Sequence, residues 1–280
     1  MFDRKKARMN RLFNTSGKCL DVAIDHGIFN EYGFLDGLED MEQIIPMLVD
    51  AGPDVIQTNY GQADILQAIK GKNKPALLLR TDVGNPYNKQ KHKTMFNVLQ
   101  NPEEPILAAL RMDAAAVVAN LLLLPDEPEL HQTTISNITK LRNECEKYAM
   151  PIMVEPLVMK VGTGYEVDGN KDLIVSLVRQ ARELGADIIK SDPTDHVEDY
   201  HEVVTAARCP VLVRGGGKAD IKTVFQKTHD FLQTGVSGLV YGRNIYQHES
   251  PSRIVKAFMA LIHKGISAEE AWAIYENGQD

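Results

Sequence analysis

The segment DLIVSLVRQARELGADIIK, at residues 172–190, predicts a helix, a tight turn and a short buried strand. Apolar residues recur with helical spacing up to Leu184. Gly185 supplies the left-handed conformation that commonly ends a helix. The strand predicted next, 188–190, ends on Lys190. Lysine is almost never fully buried unless it is paired or used in chemistry, so Lys190 is the first candidate functional residue.

The same alternation of helix, turn and strand recurs along the chain. Strands are predicted at 19–25, 55–58, 76–80, 115–119, 152–155, 188–190, 211–214 and 238–241. Helices are predicted at 41–51, 62–69, 105–112, 134–148, 172–184, 199–207, 221–234, 252–262 and 268–275. Such alternation is typical of a parallel sheet with crossover helices.

Eight strands within 280 residues predict a single (β/α)8 TIM barrel, of the α/β class. No linker or shift in composition divides the chain, so one domain is expected over residues 1–280. A doubly wound open sheet is the rival architecture. It is disfavoured because its usual glycine fingerprint after the first strand is missing.

Composition excludes several classes of partner. The chain is 44% hydrophobic, with a formal net charge of -7 and no long basic run, which argues against nucleic acid. No apolar stretch approaches the roughly 20 residues that span a bilayer. Cys19, Cys145 and Cys209 are odd in number and scattered. They predict reduced thiols in a cytoplasmic protein, without metal-ligand spacing.

The N-terminal segment MFDRKKARMNRLF, residues 1–13, is basic and amphipathic. It lacks the apolar core of a secretory signal. We predict a helix that lies across the bottom of the barrel, not a targeting peptide.

Polar residues follow the ends of six predicted strands. They are Asp25-His26-Gly27, Arg80-Thr81-Asp82, Glu155, Lys190, Arg214-Gly215-Gly216-Gly217 and Gly242-Arg243-Asn244. The carboxyl ends of barrel strands form one face, and active sites are built there. Each set alone could be loop solvation, but together they predict an active site at this face.

The candidate catalytic residues are Lys190, Asp25, His26 and Glu155. A lysine that burial has made neutral can attack a carbonyl and form a Schiff base, although Lys190 could instead cap its strand and reach solvent. Glu155 could be a general acid or base, or only an ion-pair partner of Lys190 or Arg243. Asp25 could hold a substrate hydroxyl or the hydrogen bonds of the lysine. His26, with an ordinary pKa near ~6.5, could shuttle protons or only tie down the first loop.

The two loops after the seventh and eighth predicted strands predict a phosphate site. Arg214, Gly215, Gly216 and Gly217 form one loop, and Gly242 and Arg243 form the other. In barrel enzymes these loops commonly hold a phosphate. Glycines let backbone N–H groups approach the anion, and an arginine adds a charge-assisted contact.

Several segments resemble the archaeal-type class I aldolases, the group that includes fructose-bisphosphate, tagatose-bisphosphate and deoxyribose-phosphate aldolases. They are VAIDHG at 22–27, GADIIK at 185–190, CPV at 209–211 leading into the triple glycine, and GVSGLVYGRNIYQ at 235–247. The resemblance extends over 25–262. It implies a (β/α)8 barrel, a Schiff base at Lys190, phosphate binding by residues 215–217 and 242–243, Asp25 in the catalytic network, and no metal.

The chain departs from this group in three places. Archaeal-type fructose-bisphosphate aldolases carry a proton-donating tyrosine just after the fifth strand, where this chain has Glu155-Pro156-Leu157. A glutamate there is more similar to the tagatose-bisphosphate and sulfosugar-phosphate aldolases. Arg214 stands where the relatives often have serine. The loop at 80–93 is long and polar, and could be a lid or a solvated loop; it contains Asn85, Tyr87, Lys89, Lys91 and Lys93.

These features predict a metal-independent class I aldolase that acts on a phosphorylated ketose or a related sugar phosphate, with no cofactor. Two alternatives remain. One is a thiolase-like acyl transferase that uses coenzyme A on a phosphorylated diketone, as in a relative on the same scaffold. The other is a non-catalytic sugar-phosphate sensor. The expected partners are the small-molecule substrate and further copies of the chain in a homo-oligomer.

Overall fold

The computed structural model describes residues 4–87, 94–162 and 165–278. The strands in these residues are β1 (Cys19–Ala23), β2 (Val55–Thr58), β3 (Ala76–Arg80), β4 (Asp82–Gly84), β5 (Asn97–Leu99), β6 (Ala116–Leu123), β7 (Ile152–Val161), β8 (Tyr165–Val167), β9 (Ile188–Ser191), β10 (Val211–Arg214) and β11 (Gly238–Tyr241). The helices are α1 (Lys6–Leu12), α2 (Met41–Ala51), α3 (Ala63–Ala68), α4 (Pro105–Arg111), α5 (Pro128–Tyr148), α6 (Lys171–Glu183), α7 (Tyr200–Ala207), α8 (Ile221–Gln233), α9 (Arg243–Tyr246), α10 (Pro251–Lys264) and α11 (Ala268–Asn277).

The strands β1, β2, β3, β6, β7, β9, β10 and β11 pair in parallel in that order, and β11 returns to pair with β1. The sheet therefore closes on itself, with helices outside it. This confirms the predicted TIM barrel. The open doubly wound sheet is wrong, because such a sheet has two free edges.

Some predicted boundaries are wrong. The first strand ends at Ala23, two residues before Asp25. The fourth and fifth barrel strands, β6 and β7, continue past the predicted ends to a last pair of Leu123 with Val158. The predicted strands end at Ala119 and Glu155, but Asn120 and Glu155 are paired with each other and pairing continues beyond them.

Smaller elements were not predicted. The strand β4 pairs antiparallel with β5 after the third barrel strand, and β8 pairs antiparallel with the extension of β7. Helix α5 begins at Pro128, not at residue 134, because proline fits the first turn of a helix, where no intrahelical N–H bond is needed.

Two glycines are required where helices meet strands. Gly185 ends α6 with φ of 101°, a conformation that costs a residue with a side chain about 1 kcal/mol or more. Gly238 begins β11 with φ of 144°, and an added Cβ would lie 1.9 Å from the carbonyl oxygen of Cys19. Gly185 confirms a helix-ending turn predicted from the sequence, and Gly238 is the predicted first residue of its strand.

The bottom of the barrel is filled with apolar side chains. Ala23, Val55, Leu78, Met153 and other inward residues form one buried cluster with Leu12 of α1. Helix α1 thus covers the barrel bottom, as predicted. Because the lower interior is packed, the polar strand ends face an opening only at the opposite mouth.

Ion pairs and hydrogen bonds hold the N-terminal segment in place. Lys5 Nζ lies 2.7 Å from Glu146 Oε1 and 2.9 Å from Asp187 Oδ2. Arg8 donates to the carbonyl of Ala114 at 2.7 Å.

In the described part of the chain, no helix is both long and apolar enough to cross a membrane.

Candidate active site

Strand periodicity determines which residues enter the mouth of the barrel. Along β9, Ile188 belongs to the interior cluster and Ile189 to the outer core under the helices. Successive residues of a strand point to opposite faces, so Lys190 points inward, above Ile188. The same alternation directs Glu155 of β7 inward, two positions after Met153.

Lys190 is enclosed by polar groups inside the barrel. Only 4% of the residue is exposed. Its Nζ donates to Oε1 of Gln57 at 3.2 Å and lies 3.1 Å from Oε2 of Glu155. The prediction of a buried lysine is therefore confirmed, and the alternative that it reaches solvent is wrong. Gln57, a residue that the sequence did not single out, is one of its two partners.

Arg80 links two of the predicted carboxylates. Its Nε donates to Asp25 Oδ2 at 2.7 Å, and its Nη2 donates to Glu155 Oε2. Its Nη1 reaches Asp82 and Asn120, both at 3.3 Å. The sequence analysis placed Arg80 among the polar residues at strand ends but predicted no role for it. Its contacts with both carboxylates form across the barrel, so residues near it in sequence do not indicate them.

Three cations keep Glu155 ionised. Burial acts to raise the pKa of Glu155, but Lys190, Arg80 and Arg214 together hold that pKa well below its usual range. Arg214 Nη1 lies 3.7 Å from Glu155 Oε1. Glu155 therefore has no proton to donate at neutral pH. The acid role is therefore disfavoured, the predicted ion pair with Lys190 is present, and the base role stays a prediction.

Asp25 and His26, in the loop after β1, are also both unprotonated at neutral pH: Asp25 is a carboxylate and His26 a neutral imidazole. Burial acts to raise the pKa of Asp25, but Arg80 and Lys190 lower it overall. Burial lowers the pKa of His26 to about 4, against the opposing effect of Asp25. His26 is thus a neutral imidazole at neutral pH, because burial disfavours its charged form, and its role as a proton shuttle stays a prediction.

A further carboxyl lies deeper in the barrel. Asp21 is fully buried, and in the described residues neither of its oxygens has a hydrogen-bond partner. Burial raises its pKa to about 8, with Lys190 opposing, so Asp21 is mostly protonated at neutral pH. An aspartate in the middle of a buried strand was the available signal, and sequence reasoning missed it.

Arg243 lies at the rim of the mouth, at the start of α9. Its guanidinium carbon is 4.5 Å from the centre of the Phe34 ring. Its Nε is buried and has no hydrogen-bond partner among the described residues. Gly217 is adjacent, since an added Cβ would lie 3.6 Å from Arg243 Nη1. This arginine therefore keeps hydrogen-bonding capacity for an anion.

The glycine loops are packed tightly beside it. A Cβ at Gly242 would lie 2.6 Å from Cε1 of His26. The N–H of Gly215 donates to the carbonyl of Val240 at 3.0 Å, so this N–H is not free for an anion, contrary to prediction. Asn244 joins the two loops, because its Nδ2 donates to the carbonyl of Gly215 at 2.8 Å.

The sequence predicted that Arg214 binds a phosphate, whereas in the structure its guanidinium is hydrogen-bonded to protein side chains. Its Nε donates to Asp192 Oδ1 at 2.6 Å, and its Nη1 donates to the hydroxyl of Tyr87. Burial raises the pKa of Asp192 to about 6, with Arg214 opposing. Sequence reasoning did not identify Asp192, and its position directly after β9 was the only signal.

Tyr87 reaches the site from the loop after the third barrel strand. Its ring meets Phe29 edge-on at 5.0 Å and Phe34 at 5.4 Å between ring centres. Of the loop residues predicted as a lid or a solvated loop, Asn85 and Tyr87 are buried or half-buried. Lys89, Lys91 and Lys93 lie outside the described residues. Tyr87 packs against two aromatic rings, so it is not simply solvated, and the lid stays a prediction.

One pocket collects nine of the ten predicted site residues. They are Asp25, His26, Glu155, Lys190, Arg214, Gly215, Gly216, Gly242 and Arg243, and Gly217 lies just behind Arg243. The cavity measures about 30 Å³, far below the roughly 300–1,000 Å³ of most ligand pockets. Phe29, Phe34 and Tyr87 line this cavity, which in this arrangement is smaller than a ligand of ordinary size needs.

A TIM barrel with a buried lysine and carboxylate at its catalytic face is the arrangement of a barrel enzyme. A model of the DeoC/LacD family aldolases matches residues 19–248, and the chain belongs to this family. The predicted resemblance to aldolases is thereby confirmed.

Individual relatives extend over nearly the whole chain. An uncharacterized aldolase of Saccharolobus solfataricus is 31% identical over 269 residues, or 95% of this chain and 97% of that protein. A 3-hydroxy-5-phosphonooxypentane-2,4-dione thiolase of Klebsiella pneumoniae is 30% identical over 275 residues, or 97% and 85% of the two chains. The crystal structure of an archaeal fructose 1,6-bisphosphate aldolase shares the fold, with a TM-score of 0.76 at 24% identity over 93% of this chain and 100% of that one.

Proposed function

We propose that this protein is a class I aldolase that cleaves or forms a carbon–carbon bond in a phosphorylated ketose or a related sugar phosphate, through a Schiff base at Lys190. The contact between Lys190 Nζ and Glu155 Oε2, at 3.1 Å inside the barrel mouth, carries this proposal. Membership of an aldolase family supports it.

The first step requires a neutral lysine. Glu155 lies within reach to accept the ammonium proton of Lys190. The freed lone pair then forms a C–N bond with the ketone carbon, and the carbonyl oxygen takes the proton that the attacking nitrogen releases, which gives a carbinolamine. Loss of its hydroxyl as water leaves an iminium ion. The iminium accepts the electron pair of the carbon–carbon bond that breaks, and an aldehyde departs.

Arg80 contributes to Schiff-base formation through its hydrogen bonds to Asp25 and Glu155. By donating to both Asp25 and Glu155, it fixes the two carboxylates relative to Lys190. A preorganised carboxylate loses less free energy to reorientation during the reaction. We therefore assign Arg80 as a positioning residue, and Asp25 as its anchor and a partner for substrate hydroxyls.

The substrate phosphate is assigned to Arg243, Gly216, Gly217 and Gly242. The buried and unpartnered Nε of Arg243 supports this assignment. Binding the phosphate away from the reacting carbons holds the carbonyl near Lys190 and lowers the entropic cost of attack. Gly215 and Arg214 shape the loop, since their donors are already engaged.

A thiolase-like acyl transfer to coenzyme A is the second candidate, because a relative 30% identical over 97% of this chain is named as a thiolase of a phosphorylated dione. Dependence of substrate loss on coenzyme A would identify it. A non-catalytic sensor is disfavoured, since a binder has little need of a buried lysine with a carboxylate at 3.1 Å.

Borohydride trapping tests the proposal. The protein is incubated with a panel of ketose phosphates, reduced with borohydride, and analysed by intact mass and peptide mapping. We expect a covalent adduct at Lys190, and none in Lys190→Met. The matched control is Lys218→Met, which removes a lysine whose Nζ contacts the carbonyl of Gln247 outside the pocket. An adduct at Lys218 or Lys160, or none with any ketose phosphate, would contradict the proposal.

A further inference from the structure

We infer that Tyr87 is the catalytic proton donor and acceptor of this site, with Arg214 as the partner that stabilises its phenolate. This inference rests on the proposed Schiff-base chemistry at Lys190. It gives a role to a residue that enters the pocket from the loop after β3, the strand opposite β10, which carries Arg214.

The proposed chemistry needs an O–H donor in the pocket, and the protonated Asp21 of β1 is not among the residues that line it. Among the described residues, Glu155 is the one side chain that β7 contributes to the pocket. Glu155 and Asp25 are held as carboxylates by neighbouring cations. His26 is a neutral imidazole, and its N–H is a far weaker acid than a phenol. None of these groups readily gives up a proton at neutral pH.

Tyr87 has the missing proton. Its side chain lines the same pocket as Lys190 and Glu155. Burial raises the pKa of Tyr87, and Arg214 opposes that rise. The phenol therefore keeps its proton in the resting protein, while the arginine lowers the cost of losing it temporarily. This combination suits a group that alternates between acid and base.

A short chain of contacts connects Tyr87 with the lysine. Arg214 Nη1 donates to the Tyr87 hydroxyl and lies 3.7 Å from Glu155 Oε1. The other oxygen of Glu155 is 3.1 Å from Lys190 Nζ. Asp192 Oδ1 accepts a hydrogen bond from Nε of the same arginine. The guanidinium is thus fixed where a phenolate would form, which explains its position better than a phosphate contact does.

Over one catalytic cycle, Tyr87 donates two protons and accepts two. Tyr87 gives its proton to the carbinolamine hydroxyl, which leaves as water. The phenolate then takes the proton of the substrate hydroxyl as the carbon–carbon bond breaks and the aldehyde departs. Tyr87 returns that proton to the enamine carbon. The phenolate finally accepts a proton from the water that attacks the iminium, so the phenol is restored.

Deuterium exchange separates this role from Schiff-base formation. The probe is dihydroxyacetone phosphate in D₂O, since a ketone that forms an enamine exchanges its α-hydrogen with solvent. Tyr87→Phe should slow this exchange by about a hundredfold or more. It should still reach the wild-type extent of borohydride adduct at Lys190 after long incubation, which also shows that the variant is folded.

Two further variants sharpen the test. Tyr148→Phe changes a half-exposed phenol at the end of α5 and should exchange like the wild type. Arg214→Gln removes the phenolate's partner and should slow exchange, whereas Arg214→Lys keeps a positive charge and should restore part of the rate.

The outcomes distinguish the two proposals. If the wild type forms the adduct and Tyr87→Phe exchanges at the wild-type rate, Tyr87 is not the proton carrier, and the Schiff-base function stands. If Tyr87→Phe loses exchange and adduct to the same degree, Tyr87 serves binding only. If the wild type forms no adduct with dihydroxyacetone phosphate or the rest of the panel, the proposed function fails and the inference fails with it.

Discussion

Lys190 Nζ and Glu155 Oε2 lie 3.1 Å apart at the mouth of the barrel, and Arg80 donates to the same carboxylate oxygen. The buried Oε2 of Glu155 thus contacts two cations, Lys190 and Arg80. A buried charge that loses its partner is costly, so the loss of either cation would leave Glu155 less well compensated. In the proposed reaction, conversion of Lys190 to a neutral carbinolamine would remove one of the charges that keep Glu155 ionised.

The first prediction concerns Glu155→Gln, which keeps the shape of the side chain and removes the base. The variant should still form the trapped adduct at Lys190 after long incubation. It should turn over about a hundredfold or more slowly, because no carboxylate takes up the lysine proton. Single-turnover kinetics with borohydride quenching measures both quantities. Near-normal turnover would transfer the role to Asp25 or water, and complete loss of the adduct would make Glu155 a support for Lys190.

The second prediction concerns Arg243→Ala at the rim of the pocket. A charge-assisted contact of roughly 1.5–3 kcal/mol corresponds to a rise in KM of about tenfold to a hundredfold for phosphorylated substrates. Unphosphorylated analogues should be affected far less. Steady-state kinetics on matched substrate pairs measures the difference, with Lys222→Ala as a control for loss of a positive charge near Trp272, outside the pocket. Equal loss on both substrate types would refute a phosphate contact.

The third prediction concerns the buried carboxyl of Asp21. Its pKa is raised to about 8 in the folded chain, against about 3.9 in an unfolded chain. Between these values the folded state binds the extra proton, so this group's contribution to stability is full below about pH 4 and falls as pH rises towards 8.

Asp21→Asn should remove this dependence. The free energy of unfolding, measured by chemical denaturation from pH 5 to pH 8, should fall less steeply with pH in the variant than in the wild type. The groups that act on Asp21 are Lys190, Asp25, Glu155 and Arg80, and Asn leaves all four in place. An unchanged slope would show that Asp21 is ionised throughout this range.

The fourth prediction concerns Gly215→Ala in the loop after β10. An added Cβ would lie 1.9 Å from Cδ1 of Tyr241, whose buried hydroxyl lies 2.7 Å from Thr228 Oγ1. The ring cannot move freely, so the variant should lose about 1–3 kcal/mol or more of unfolding free energy. Gly61→Ala is the matched control, because its Cβ would meet nothing nearer than 3.6 Å. Equal stability of both variants would contradict the close packing.

Much of the fold follows from local pattern. The helix, turn and strand at residues 172–190 could be predicted because helical spacing and Gly185 act within a few residues of chain. Strand alternation then directed Lys190 and Glu155 inward, and the order of strands placed the two glycine loops side by side. Each of these inferences needs only neighbours in sequence and the general geometry of a closed parallel barrel.

The charge states of the site and the contact between Tyr87 and Arg214 were decided by tertiary structure. Tyr87 and Arg214 are 127 positions apart in the chain, and nothing near either residue indicates the contact. Glu155 has no proton to donate because three cations from three other strands surround it. Burial and charge–charge energies depend on distances across the barrel, and those distances exist only once the sheet has closed.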